Sequence, residues 1–264
     1  MEKETYSSSS VALPIIGVDL DNVSIRGDII LEHDSVVHLK NSFMNESVDY
    51  YLYNNSVLIL ENVTVLVSYS DIHLYDNSSL IIINSNDTDH DLDIYAYDNS
   101  RVTVYDSWLI DTDFYINDDS QASVTESLID YVRVEENAYM SVKNSTIDSS
   151  VRLYENATVE IENSNITYYV YLNDYSEFYI RNVTIGTYSA YRDISVYDNS
   201  YAYVKNCTFD DLYIYDYGHA MVVNSTMDYV RSYSPKITYI YNSTVDTIGP
   251  VSYTHLTLPT TERV

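Results

Sequence analysis

The sequence is poor in cysteine, glycine, proline and basic side chains. Its 264 residues include 5 glycines, 4 prolines and one cysteine, Cys207. A single cysteine excludes an internal disulfide, and so little glycine and proline disfavours a fold with many irregular loops. The sequence has 13 basic and 40 acidic residues, which gives a net charge of −27. Such a field repels phosphate backbones and anionic lipid, so nucleic acid and membrane surfaces are poor partners.

Long apolar runs are missing as well. No segment approaches the roughly 20 apolar residues of a membrane-spanning helix, and the first ten residues lack the apolar core of a signal peptide. Tyrosine, by contrast, is abundant, with 31 residues in a chain that is 45% hydrophobic. Because the tyrosine ring packs well on a pleated surface, this composition favours a folded, β-rich protein over a disordered acidic chain.

A repeat runs through most of the chain. The segments LYNNSVLILENVTV, LYDNSSLIIINSN and LYENATVEIENSNI echo one another, and each contains a late Asn that serves as an anchor. Asn22 begins a weaker first repeat. The other anchors, 18 to 24 residues apart, are Asn41, Asn62, Asn84, Asp106, Glu126, Asn144, Asn163, Asn182, Asn206, Asn224 and Asn242.

Other columns align with these anchors without adjustment. All eleven residues two positions before an anchor are aliphatic, and the positions ten and twelve before it are mostly apolar with polar neighbours. This period of two indicates a strand on each side of a polar turn, each with one buried face. A short third strand follows the Asn. Three such strands cannot bury their apolar faces alone, so successive repeats must stack.

The pattern predicts an all-β fold, a right-handed parallel β-helix solenoid of about 12 rungs of 18–24 residues over residues 21–250. Residues 1–20 are expected to form a lead-in or cap. An antiparallel sandwich does not require one residue type in one column of every repeat, and helical repeats would show a period of 3.6. A left-handed β-helix prefers a strict hexapeptide period, which variable spacings do not give.

The Asn column has a physical rationale and also carries a resemblance. Asn tolerates the left-handed conformation at a turn, and stacked amides can form hydrogen bonds from rung to rung. The endings NSTI (144–147), NCTF (206–209) and NSTM (224–227) resemble adhesin-like surface proteins of microbes. The repeat as a whole resembles the right-handed parallel β-helices of the pectate-lyase-like superfamily. The resemblance covers nearly the whole chain and implies a fold, which does not by itself imply a function.

Thirteen Asn-X-Ser/Thr sequons occur, and seven of them lie on the anchor column or its first-rung equivalent. The fold explains these seven, and an inward, stacked Asn would be inaccessible to glycosylation. The sequons off the column are better acceptors if the protein is secreted; they are Asn45, Asn54, Asn77, Asn86, Asn156 and Asn165.

The last fourteen residues, 251–264, read as a translated sequencing adapter and not as native protein. Residues 251–260, VSYTHLTLPT, match a translation of transposase-adapter DNA, and the following index and adapter bases account for the end of the chain. We therefore expect that the natural gene continues past Gly249 and that a signal and an anchor segment have been lost.

The outward positions of the first strand form ordered columns of Asp, Tyr and Arg. Sugars stack on aromatic rings, so one interpretation is a platform that binds extended glycans. The alternative, which the sequence favours, is that exposed tyrosines stabilise the sheet by stacking along it. The candidate binding residues are Tyr53, Tyr75, Tyr95, Tyr97, Tyr115, Arg133, Arg152, Tyr171 and Tyr213.

Acidic residues also recur eight positions before the anchors, on the first turn. Like charges about 5 Å apart on stacked rungs repel unless they are well solvated or bridged by cations. Ca²⁺ prefers carboxylate and carbonyl oxygens, so it is the candidate cation, and the alternative, which the sequence favours, is a solvated acidic face. The candidate ligands are Asp76, Asp98 and Asp118 on the turn, and Asp87, Asp89 and Asp91 in a second cluster with Asp93 on a longer loop.

These features predict a structural or adhesive segment of a secreted or cell-surface protein, with extracellular glycans or cell-surface proteins as partners. The alternative is a carbohydrate-active enzyme, a polysaccharide lyase or a glycosidase, on the same scaffold. Arg133 and Arg152, near Glu135 and Glu155, offer the best arrangement for a lyase base. Adjacent pairs such as Asp118-Asp119 point to opposite faces of a strand and rarely converge. Cys207 occupies a column of Ser and Val and is expected to serve packing.

Overall fold

The computed structural model describes residues 5–7, 11–13, 17–44, 47–66, 69–87, 92–186, 193–236 and 238–249. These residues form strands and turns without a helix, in a parallel β-solenoid of about 11 rungs. The predicted all-β solenoid is thereby confirmed, and its right-handedness stays a prediction. Residues 251–264 lie outside the described residues. The chain divides into two compact units, Met1–Ser145 and Thr146–Val264, called unit 1 and unit 2.

Each rung of unit 1 contributes one strand to each of three parallel sheets. Sheet 1 holds the strands before the polar turn, sheet 2 the strands after it, and sheet 3 the short strands that follow the Asn. Sheet 1 comprises Val11–Leu13, Ile29–Leu31, Tyr50–Leu52, Ser70–Leu74, Leu92–Ala96, Phe114–Ile116 and Val132–Val134. Sheet 2 comprises Val18–Asp21, Val36–Lys40, Val57–Glu61, Ser79–Ile83, Arg101–Tyr105, Gln121–Thr125 and Tyr139–Lys143. Sheet 3 comprises Thr5–Ser7, Ser24–Arg26, Phe43–Met44, Thr64–Val65, Asn86–Asp87, Trp108–Leu109 and Leu128–Ile129.

Unit 2 repeats this arrangement with longer strands toward its end. Its sheet 1 comprises Val151–Leu153, Val170–Leu172, Asp193–Val196, Asp211–Ile214, Thr226–Ser232 and Thr244–Ile248. Its sheet 2 comprises Thr158–Glu162, Glu177–Arg181, Tyr201–Lys205, His219–Val223 and Tyr239–Tyr241. Its sheet 3 comprises Thr146–Ile147, Asn165–Ile166 and Thr184–Ile185.

The strands pair in the register that the columns predict. Thus Leu80 pairs with Val102 and Ile82 with Val104, and inward and outward side chains alternate along each strand. All eleven aliphatic residues two positions before the anchors are buried, so stacking them forms an apolar core within each unit. Within the predicted lead-in, Val11–Leu13 and Val18–Asp21 pair with the next rung and belong to the stack.

The anchor column lies on the outside of the solenoid, which corrects the expectation that it faces inward. Every anchor residue is exposed and has positive φ, as Asn41 (48°) and Asn62 (54°) illustrate. The amide of Asn62 donates to Oδ1 of Asn41 at 2.6 Å, and equivalent bonds join Asn182 to Asn163 and Asn242 to Asn224. The predicted rung-to-rung amide bonds are therefore present, but on the surface.

The residue after each anchor from Asn22 to Asn224 is buried instead, and it is most often serine. Ser107 Oγ accepts the Ser85 N–H at 3.2 Å, Ser127 Oγ accepts the Ser107 N–H at 3.1 Å, and both hydroxyls donate to carbonyls of their own rung. Cys207 occupies this column, is buried and contacts the Lys205 carbonyl oxygen through Sγ at 3.1 Å. Its place in a packing column is as predicted.

Candidate functional site

Two columns of parallel rings lie on the outward face of sheet 1 in unit 1. Neighbouring rings are 4.7–5.3 Å apart between centroids, with interplanar angles of 7–13°. The first column holds Tyr51, His73, Tyr95 and Tyr115, and the second holds Tyr53, Tyr75 and Tyr97. The structure thus brings the five candidate tyrosines of unit 1 together. Because neighbouring rings cover one another's faces, these columns present mainly ring edges and hydroxyls to solvent.

Carboxylates fix the hydroxyls of the first column. Tyr95 donates to Oδ2 of Asp93 at 2.9 Å, and Tyr115 donates to Oδ2 of Asp113 at 3.1 Å. Burial, together with these bonds and charges, raises the pKa of both tyrosines above its usual value. Burial and the nearby Asp93 also raise the pKa of Asp113. The phenols therefore stay protonated and act as donors, while the carboxylates act as acceptors.

On sheet 1 of unit 2, Tyr197, Tyr215 and Tyr233 stack in parallel at 4.6 and 5.4 Å, whereas the rings around Tyr171 are tilted. Tyr171 lies against Tyr154 at 5.7 Å and 45° and against Tyr197 at 5.1 Å and 35°. The Tyr213 hydroxyl donates to Asp211 at 2.7 Å, which reproduces the pairing seen in unit 1. Both candidate tyrosines of this unit therefore lie on the predicted face.

The two candidate arginines make local contacts within different units. In unit 1, Arg133 donates through Nε and Nη2 to Oε1 of Glu135 at 2.8 and 2.6 Å. In unit 2, Arg152 donates to the Tyr169 hydroxyl, and its guanidinium lies 5.4 Å from the centre of that ring. Each guanidinium is thus already hydrogen-bonded to a neighbouring side chain, and an arginine held in this way is a poorer general base.

The acidic column on the first turn caps backbone amides. Asp76, Asp98 and Asp118 have φ of 57–58°, the left-handed conformation that Asp tolerates. Asp98 Oδ2 accepts the Asp76 N–H, and Asp118 Oδ2 accepts the Asp98 N–H, each at 2.9 Å. Each carboxylate therefore satisfies an amide of the preceding rung, a role that needs no cation. In the described part of the chain, no three His, Cys, Asp or Glu side chains are grouped to hold a metal, and Ca²⁺ binding by this column stays a prediction.

Asp87 was expected in an exposed acidic cluster, but its side chain is fully buried. It occupies the inward position three residues after its anchor, where Thr112 donates to its Oδ2 at 3.2 Å. An inward Asp87 cannot join Asp93 on the surface. The other predicted members, Asp89 and Asp91, lie outside the described residues.

A second aromatic surface lies on sheet 2 of unit 2 and was not among the predicted sites. Tyr179, Tyr203 and Tyr239 share one outward column with Met221. Their rings are not parallel, since Tyr179 meets Tyr203 at 45° with a centroid separation of 6.4 Å. The position three before each anchor is the signal that reveals this column in the sequence.

In comparisons with known proteins, no family model, no curated protein and no solved structure matches the chain. Separately, the described residues contain no helix with the length and apolarity that crossing a bilayer requires.

Proposed function

We propose that the chain is a structural, adhesive segment of a secreted or cell-surface protein that binds extracellular glycans through its outward tyrosine-rich faces. The observation that carries this proposal is the rung-by-rung repetition of outward aromatic and hydrogen-bonding side chains on a parallel β-solenoid. A repeating ligand such as a polysaccharide meets such a surface with equivalent contacts at successive rungs. This proposal also includes the resemblance of the repeat to adhesin-like surface proteins and to the pectate-lyase-like superfamily.

The hydrogen-bonded columns support the structural half of the proposal. Amides of the anchor column bond from rung to rung on the surface, as between Asn62 and Asn41, and serine hydroxyls do so in the core, as between Ser107 and Ser85. Where these bonds occur, they add to the parallel backbone pairing and hold a rung to the next one through its surface or its interior. A chain held in this way suits a load-bearing segment.

The exposed sequons support an extracellular location. Off the anchor column, Asn54, Asn77, Asn156 and Asn165 have exposed side chains, where a glycan would meet solvent. Enzymatic cleavage of glycans is less well supported, since Arg133 and Arg152, the best candidate bases, are held by Glu135 and Tyr169.

A glycan array combined with a uronate-release assay tests the proposal. We expect the folded chain to be retained on one or more polysaccharides without producing unsaturated uronates. The heat-unfolded chain is the control, because its surface columns no longer exist. Release of unsaturated products would establish a lyase, and absence of retention on every glycan would refute the adhesive role.

A further inference from the structure

Sheet 2 of unit 2 differs from the stacked columns in how its rings are exposed. Tyr239 is 48% exposed and Tyr241 60% exposed, and Met221 between the tyrosines of the central column is 37% exposed. Tyr179 meets Tyr201 edge-on, at 72° and 6.0 Å. Since these rings do not lie parallel along the sheet, parts of their faces remain open to solvent. We call this surface the open aromatic face; it comprises Tyr179, Tyr201, Tyr203, Met221, Tyr239 and Tyr241.

Polar groups beside the rings are fixed and nearly balanced in charge. The Tyr179 hydroxyl donates to Glu177 at 2.6 Å, and this bond, with burial as the largest cause, raises the pKa of Tyr179 to about 12. Arg181 forms an ion pair with Glu162 on the neighbouring strand. Lys205 follows Arg181 in the same outward column.

The charge balance separates this surface from the rest of the molecule. The outward positions of the five strands carry three glutamates against one arginine and one lysine, whereas the chain carries a net charge of −27. A nearly neutral surface with ring faces and paired hydrogen-bonding groups complements a ligand that is uncharged, has apolar faces and is rich in hydroxyls.

We propose that the open aromatic face binds an extended, uncharged polysaccharide, whose pyranose rings lie on Tyr203, Tyr239 and Tyr241. This inference rests on the proposed glycan-binding function and names its ligand class and its surface. The carbohydrate C–H groups contact the ring faces, and the hydroxyls bond to the carboxylates and cationic groups beside them. Tyr179 and Tyr239 are three rungs apart, roughly 14 Å, a distance that a short run of β-linked hexopyranoses spans.

Substitution of single rings tests the inference on the full chain. Cellohexaose and mannohexaose serve as uncharged probes and a galacturonate hexamer as the anionic one, with affinity measured by titration calorimetry. We expect Tyr239→Ala and Tyr241→Ala each to weaken binding of an uncharged hexamer by about tenfold. Tyr175→Ala and Tyr217→Ala are matched controls, because these tyrosines of unit 2 are 63% and 57% exposed but lie on turns. The controls should bind as the unmodified chain does, and circular dichroism verifies that every variant is folded.

The other outcomes separate the two proposals. If the unmodified chain binds and only Tyr75→Ala or Tyr97→Ala weakens binding, the glycan site lies on the stacked columns and the present assignment is wrong while the proposed function stands. If it binds only the anionic hexamer, the uncharged ligand class is wrong. If it binds no saccharide, both proposals fail.

Discussion

Two buried serines of one rung, Ser100 and Ser107, should respond oppositely to the same substitution. Ser107 Oγ accepts the Ser85 N–H at 3.2 Å and donates to the Tyr105 carbonyl at 2.8 Å. Ser100 is fully buried, and in the described part of the chain its Oγ has no hydrogen-bond partner. Alanine therefore removes two hydrogen bonds at one position and an unsatisfied hydroxyl at the other.

The magnitudes follow from the cost of leaving buried groups unpaired. Ser107→Ala leaves the buried Ser85 N–H without its acceptor and should lower the free energy of unfolding by about 1–3 kcal/mol. Ser100→Ala removes a polar atom that is buried without compensation, so the free energy of unfolding should stay within about 0.5 kcal/mol or rise. The change in volume is the same in both variants, which isolates the hydrogen bonds.

Urea unfolding followed by two probes measures the difference. Far-ultraviolet circular dichroism reports the whole solenoid, and the fluorescence of Trp108, the single tryptophan, reports the rung that carries both substitutions. In the same column as Ser100, Ser120 donates to the Asn117 carbonyl. If Ser100 makes the equivalent bond in solution, Ser100→Ala will cost as much as Ser107→Ala, and equal losses would show that the Ser100 hydroxyl is satisfied in the folded chain.

Three further predictions concern titratable groups. Asp98→Asn should leave the melting temperature within about 2 °C of the unmodified chain, because Asn keeps the left-handed turn and the acceptor for the Asp76 N–H. Asp98→Ala should lower the free energy of unfolding by about 1–2 kcal/mol, and equal melting temperatures of the two variants would contradict this. Burial is the main cause that raises the folded-state pKa values of Asp71 and Asp113, so their carboxyls bind protons more tightly in the folded chain. The stability that they contribute is present at low pH and is lost as the pH rises through the folded pKa. The melting temperature should therefore fall between pH 4 and pH 7, and it should fall less steeply in Asp113→Asn. Burial raises the pKa of Cys207 to about 11, so iodoacetamide at pH 8 should label it only in urea, and rapid labelling of the folded chain would show that the thiol is accessible.

The columns of the sequence predict the fold because stacking imposes the same environment at equivalent positions. The aliphatic column two before the anchor, with Leu60, Ile82 and Val104 among its members, is buried throughout. Parallel in-register pairing follows, since any other register would place unlike residues over one another. The left-handed conformation of the anchor was also predicted, because Asn tolerates positive φ. The second left-handed position of each rung, on the first turn, was not predicted, although Asp recurs there as at Asp76 and Asp98.

The direction of the Asn side chains could not be read by the same rule. Alternation with period two holds within a strand, and it places Leu60 inside and Glu61 outside. Extended one residue further, it would place Asn62 inside. The left-handed conformation of Asn62, with φ of 54°, interrupts the alternation, so Asn62 is exposed and Val63 is buried. The alternation of inward and outward side chains therefore has to be counted again from the residue after each left-handed position.

The orientation of the tyrosine rings could not be predicted from the sequence for a different reason, although the observed orientations follow a pattern. In unit 1, Tyr53, Tyr75 and Tyr97 follow one another on consecutive rungs, and their rings share one orientation. In unit 2, Tyr179 is contacted by both Tyr201 and Tyr203, and it stacks in parallel with neither. Parallel stacking covers the ring faces in unit 1, whereas Met221 interrupts the column of unit 2 between Tyr203 and Tyr239. Interruptions in a tyrosine column therefore indicate where a solenoid of this kind offers ring faces to a ligand.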